Sequence, residues 1–356
     1  MKNFLSAVIL VSLLMACSAK AQNKQISEQE RYKLAADYSK QFRGLSVLII
    51  KSGKVVYEDY QNGYSTDDSH ALASGTKSFS GVLLAAAIED KLVKNFDEKI
   101  SDTITGWKTD KRKSQITLRQ LLSLTSGIDA GQIGRVPSYS EAIDYPSKFD
   151  TGTTFQYGPV PFQIFGEVMK RKLAPKKESV SDYLKRRILT PIGLNVASWR
   201  TVDGDILMPQ GASLSARDWS KFGTFLKDGG KSNGKQIVGK KLLDELFVGS
   251  QTNPNYGITF WLNRSNNDSA NVFEPKSERG GRLREMLGVN ESETTAISKN
   301  GFGKNLPKDT FAAAGAGKQR LYIIPSLDLV IVRQGEQSRF DDEEFLQRLI
   351  SGKVSN

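Results

Sequence analysis

The amino-acid sequence predicts a mixed α/β (α+β) fold: one antiparallel sheet formed from both chain ends, flanked by helices, plus an inserted mainly helical lobe. Two observations carry this prediction. Strand-like apolar runs lie near both ends of the chain, and the residues between them read chiefly as capped or amphipathic helices. No internal repeat interrupts that order. Residues 22–25 form a short polar linker, and Ser27 with Glu30 has the form of a capping box before a helix carrying Tyr32, Leu34, Ala35, Ala36 and Tyr38. Residues 45–50 and 55–60 read as two strands joined through Ser52-Gly53. Residues 82–88 are apolar on all sides, as in a helix buried in a domain core. Residues 116–128 read as a capped helix that stops at Gly127. Helical stretches follow at 220–226 and 240–247. Residues 264–308 are polar, charged and poor in periodicity, which predicts a long surface insertion. Residues 320–324 and 329–333 form a second strand pair around Pro325-Ser326-Leu327-Asp328, and 341–350 closes the chain as an amphipathic helix.

The domain organisation follows. Residues 1–21 are a leader, 22–43 a linker and first helix, and 44–356 one domain. Lys2 and the apolar run from Phe4 to Ala16 have export-signal form, and that run is too short to span a bilayer as a mature helix. Leu14-Met15-Ala16-Cys17 resembles a bacterial lipobox, in which Cys17 becomes the lipidated first residue and attaches the protein to a membrane. Cleavage after Ala19-Lys20-Ala21 is the other open reading, and it would free the protein into the periplasm or medium. Cys17 is the only cysteine, so the chain forms no disulfide within itself.

With 356 residues, 38% hydrophobic and 25% charged, the chain has ordinary globular composition and enough length for a large core. A formal charge of +11 suits anionic surfaces, but no nucleic-acid motif accompanies it, so no nucleic-acid partner is expected. One histidine and one cysteine do not supply the usual zinc-ligand sets, and neither metal nor cofactor is expected.

Chemistry concentrates at Ser74-Gly75-Thr76-Lys77. A serine hydroxyl needs a base to take its proton, and lysine serves where histidine is scarce. At i and i+3 on a helix, Ser74 and Lys77 share one face. Such a lysine must fall from a free pKa of about 10.4 to near neutrality, worth about 4 kcal/mol. Burial and the positive end of the helix dipole both push that way. Ser232-Asn233-Gly234-Lys235 has the same spacing but lies in a glycine-rich polar stretch and reads as a surface turn. Only Ser74 and Lys77 open a buried helix, where two polar residues need a reason. His70 lies four residues before Ser74 and is read as a pocket-rim or surface residue rather than the base.

Several motifs in order then resemble one superfamily. They are Ala73-Ser74-Gly75-Thr76-Lys77-Ser78-Phe79, Ile116-Thr117-Leu118-Arg119-Gln120-Leu121-Leu122-Ser123-Leu124-Thr125-Ser126-Gly127, and Gly152-Thr153-Thr154-Phe155-Gln156-Tyr157. Weaker segments are Leu214-Ser215-Ala216-Arg217-Asp218 and Tyr256-Gly257-Ile258-Thr259-Phe260-Trp261, with the last two strands over 319–333. Over residues 44–335 the chain resembles the serine β-lactamase and penicillin-binding-protein superfamily, closest to the class C β-lactamase-related esterases and nylon-oligomer hydrolases. The resemblance implies a β-lactamase-like fold and an exported serine hydrolase cleaving a small ester or amide through an acyl-enzyme on Ser74. It implies Lys77 as base and Tyr157 as the residue that moves protons with it. It also implies backbone N–H groups of Ser74 and Ala316 as the oxyanion hole, with Gly315 and Gln319 on the substrate-binding strands. The alternative is a catalytically weak member that binds cell-wall or partner ligands in the same cleft. Two departures bear on substrate. The family's Tyr-Ser-Asn is here Tyr157-Gly158-Pro159, and its Lys-Thr-Gly or His-Thr-Gly falls on Ala313-Ala314-Gly315. The groups that hold a substrate carboxylate are absent, so esters or linear amides are expected over β-lactams. Lys318 is nearby, but its strand parity directs it to the other face.

Overall fold

The computed structural model describes residues 26–264, 272–273 and 293–354, so the leader, the lipobox and Cys17 lie outside the described residues. Helix α1 (Glu28–Gln41) starts at the predicted capping box. Ser27 accepts from the Glu30 backbone N–H, and the Glu30 side chain accepts from Ser27 N–H at 2.7 Å. Strands β1 (Gly44–Lys51) and β2 (Lys54–Tyr60) follow, and the turn between them takes Ser52 and Gly53 through positive φ. Such a turn matches the twist of a hairpin.

Four more strands complete the main sheet: β3 (Trp261–Leu262), β4 (Phe311–Gly315), β5 (Gln319–Ile324) and β6 (Leu329–Gly335). Their order is β3-β4-β5-β6-β1-β2, with every neighbouring pair antiparallel. Ile49 lies opposite Ile331, so the N-terminal hairpin pairs directly with the last strand, as the sequence predicts. Both faces are covered. Helix α1 and the closing helix α7 (Asp342–Ser351) pack together, α1 lying on β1. Helix α5 (Ala216–Lys227) packs on β1, β5 and β6, and comes close because position 223 is glycine. A Cβ there would lie 2.5 Å from Val330 and 2.7 Å from Leu321 side-chain carbons.

The helical lobe carries α2 (Ser78–Glu89), α3 (Leu118–Leu122) and α4 (Val160–Leu173). Every residue from Ser78 to Ala87 is buried, which fits its apolar sequence. The helix predicted over 116–128 is much shorter than its pattern. Thr117 and Gln120 form its capping box, but the chain leaves the helix at Ser123 and passes through positive φ at Leu124 and Gly127. The backbone there pairs with the segment leading to Tyr157: Gly152 N–H donates to Thr125 O, Gln156 N–H to Leu124 O, and Lys148 N–H to Gly127 O. Tertiary pairing overrides helical periodicity.

The insertion predicted over 264–308 is corrected at its C-terminal end. Helix α6 (Glu293–Asn300) and the turn after it pack into the protein, burying Ile297, Phe302 and Leu306. Asn263 accepts from the N–H groups of Phe302 and Gly303 and donates to the carbonyls of Gly303, Leu306 and Pro307. Most of the remaining stretch lies outside the described residues.

Candidate active site

The chain enters α2 through a short 3-10 turn over Ala73–Lys77, preceded by the strand Ser69–Ala71. Ala73 sits at φ 47, a left-handed conformation that an alanine adopts at some strain. This turn places Lys77 Nζ 2.9 Å from Ser74 Oγ and 3.1 Å from the carbonyl oxygen of Pro209. Lys77 is only 4% exposed. Burial pushes its amine down to about 7. A neutral amine matches this geometry. Lys77 Nζ donates to Pro209 O and to Ser74 Oγ, and once neutral it has a lone pair at the same distance to accept the hydroxyl proton.

The Pro209 carbonyl is held from two sides. Thr76 Oγ1 accepts from the N–H groups of Gly211 and Ala212, at 3.2 and 3.3 Å. Gln163 on α4 accepts from Met208 N–H at 3.1 Å and donates to Pro137 O at 2.7 Å. Thr76 thus anchors the segment that orients its own neighbour, Lys77.

Tyr157 follows the two-residue strand Phe155–Gln156 and is set in an aromatic group. Its ring stacks on Trp261 with centroids 5.5 Å apart and meets Tyr256 edge-on at 6.2 Å. Lys77 Nζ lies 4.9 Å from its ring centroid. Burial pushes the Tyr157 phenol up to about 12, opposed by the neighbouring Ser74 hydroxyl and Trp261 indole. At neutral pH the site therefore pairs an amine able to accept a proton with a phenol that keeps one.

Strand β4 runs against the Ser74 turn. A Cβ on Gly315 would lie 2.0 Å from Leu72 O, 2.9 Å from Gly75 N and 3.1 Å from Ser74 N, so only glycine permits this approach. Ser74, Tyr157, Gly315 and Ala316 meet in one cavity of about 110 Å³. Ile133, Trp261, Thr294, Ile297 and Ala314 complete its wall, which carries no charged side chain among the described residues.

Gln319 is not brought to this cavity. It is buried at the start of β5, where its amide donates to Gly317 O and Gly335 O and accepts from Gly335 N–H. Its amide ties the β4–β5 turn to β6 and leaves none of its groups for substrate. Lys318 faces elsewhere too, its amine 4.0 Å from the buried Asp342 carboxylate. His70 pairs through Nδ1 with the Tyr64 hydroxyl at 2.8 Å and lines no part of the cavity. Ser232 and Lys235 lie in a small hairpin at the surface, as expected. Sequence reasoning missed Pro209, Gln163, Ile133 and Ile297. Pro209 acts through its backbone, which leaves no residue signature, and Ile297 fell inside the stretch read as an insertion.

The sequence model of the beta-lactamase family matches residues 24–334. The chain belongs to the beta-lactamase family. This beta-lactamase-family chain is thus a serine hydrolase. Solved structures share its fold at low identity. A penicillin-binding protein homolog from Caulobacter crescentus superposes with TM-score 0.65 at 13% identity, over 91% of this chain and 97% of that one. A family VIII carboxylesterase gives 0.63 at 16%, over 91% and 96%. A class C beta-lactamase from Rhodobacter sphaeroides gives 0.62 at 14%, over 91% and 98%. No curated protein matches in sequence.

Proposed function

We propose that this chain is an exported hydrolase that cleaves neutral esters, or linear amides, through an acyl-enzyme on Ser74. The observation that carries the reading is the buried Lys77 amine 2.9 Å from Ser74 Oγ. Lys77 takes the hydroxyl proton as Oγ attacks the carbonyl carbon. The backbone N–H groups of Ser74 and Ala316 receive the oxyanion, a function that tolerates alanine. Tyr157 gives its proton to the leaving oxygen of an ester, or nitrogen of an amide, and regains one from the Lys77 ammonium. Water then enters by the same steps in reverse and releases the acid. Two groups held at about 7 and about 12 divide acceptor and donor roles between them. The lining among the described residues is uncharged and supports neutral substrates, because a carboxylate buried without a partner costs several kcal/mol.

A fluorophosphonate probe tests the nucleophile. It should label the protein once, at Ser74, and Ser74→Ala should abolish labelling. Labelling at Ser232, or undiminished labelling of the alanine variant, would overturn the assignment. Export and anchoring rest on the leader and on Cys17. If Cys17 is lipidated, the protein should partition with membranes and Cys17→Ser should not, since each buried acyl CH₂ contributes about 0.8 kcal/mol. Soluble mature protein beginning at Gln22 would establish ordinary cleavage instead.

A further inference from the structure

The departure Tyr157-Gly158-Pro159 has a structural counterpart. A Cβ on Gly158 would lie 2.2 Å from the carbonyl oxygen of Ala130, and Val160 N–H donates to that same oxygen at 3.1 Å. Any side chain at 158 would push the 130–134 segment away from the cleft. Glycine lets it come in. Gly131 and Gly134 both turn through positive φ, and between them Ile133 reaches the cavity beside Ser74. Ile133 is 67% exposed. A lone exposed apolar side chain is ordinary on a protein surface. Among the described residues, however, Val55, Val248 and Val354 are the other large exposed apolar side chains, and none of them lines the cavity. Another wall of the cavity is fixed. Ile297 is 6% exposed, and its helix is tied down where Asn253 donates to Ser298 Oγ and Asn255 to Ser298 O.

We infer that Ile133 and Ile297 are specificity-determining residues that grip an apolar acyl group bonded to the scissile carbonyl. The inference rests on the Ser74 acyl-enzyme reading. Ile297 is the buried, fixed jaw. Ile133 is the exposed one, and substrate covers it. The cavity is somewhat smaller than the roughly 150 Å³ that holds a benzene, so a chain of a few carbons fills it. Each methylene buried there contributes about fourfold to kcat/KM, from about 0.8 kcal/mol per CH₂.

The test compares p-nitrophenyl acetate with p-nitrophenyl butyrate on the parent, on Ile133→Ser, and on Val248→Ser as an off-site control. In the parent, kcat/KM should favour butyrate by about fifteenfold, two methylenes' worth, and Ile133→Ser should lower that ratio by about fourfold, one methylene's worth. Val248→Ser should leave the ratio unchanged. Position 133 is exposed, so the variant should fold with an unaltered melting temperature. A ratio that stays within about twofold of the parent in Ile133→Ser, with Ser74 still labelled by a fluorophosphonate, overturns this inference alone. If the parent cleaves neither ester and takes no label, the acyl-enzyme reading fails and this inference falls with it.

Discussion

Lys77→Met separates the electrostatics of the site from its chemistry. In the folded protein burial holds the Lys77 amine at about 7, against an ordinary 10.5. The difference is worth about 5 kcal/mol at about 1.36 kcal/mol per pKa unit. Between pH 7 and 10.5 the unfolded chain carries a proton on this amine that the folded chain lacks. Stability therefore rises with pH across that window and is flat below it, as far as this group is concerned. Methionine fills similar space and has no such proton. The stability difference between Lys77→Met and the parent should be largest at pH 7 and below, then shrink by about 1.4 kcal/mol per pH unit. Removing the amine also strips the Pro209 carbonyl of its donor, a pH-independent cost of about 1–3 kcal/mol. The net expectation at pH 7 is an inactive variant more stable by about 2–4 kcal/mol. Urea unfolding of both proteins at pH 7, 8 and 9 measures the slope directly, and their shared titrations cancel. A difference that does not change with pH would refute the reasoning, because Lys77 would then be charged when folded.

Three further outcomes are expected. The kcat/KM for a neutral aryl ester should rise through about pH 7 and stay level beyond pH 10, since Tyr157 holds its proton to about 12; activation centred near 10.5 in a pH–rate profile would contradict the assignment of the base. Gly315→Ala puts a methyl 2.0 Å from Leu72 O, so strand β4 must withdraw from the nucleophile turn. Loss of oxyanion contact should then lower kcat by about 10²-fold or more, read by steady-state kinetics, and an unimpaired variant would remove β4 from the oxyanion hole. A chromogenic cephalosporin should be poorer than an aryl acetate by at least ~10²-fold in kcat/KM, about 2.7 kcal/mol of transition-state binding; efficient hydrolysis would mean that some cation reaches the substrate carboxylate after all.

The strands and the closeness of Ser74 and Lys77 were legible for simple physical reasons. The apolar runs around Ile49 and Ile331 are buried in the centre of the sheet. Two polar side chains at the head of an apolar helix stood out because they lacked any structural purpose. Where the reading failed, non-local pairing decided. The 116–128 pattern is helical by periodicity, yet its second half gives its backbone groups to the approach to Tyr157. Gln319 sat on a strand beside the site, and only the fold reveals that its amide is spent on Gly317 and Gly335. Ile297 was hidden by polar neighbours such as Ser298 and Asn300, although Ser298 itself is buried by its bonds to two asparagines.

The pairing of β1 with β6 also sets when this protein can fold. Ile49 emerges well before its partner Ile331, so the central β1–β6 pairing cannot form until residues 329–335 have been made. Contacts so distant in sequence are slow to form, because most of the chain must be ordered as a closed loop before they stabilise anything. Until then β1 is paired on one side only, with β2, and its other edge is open and prone to aggregate. If the leader directs export as proposed, that delay is an advantage: a chain threaded through a membrane would carry no closed sheet to jam the passage.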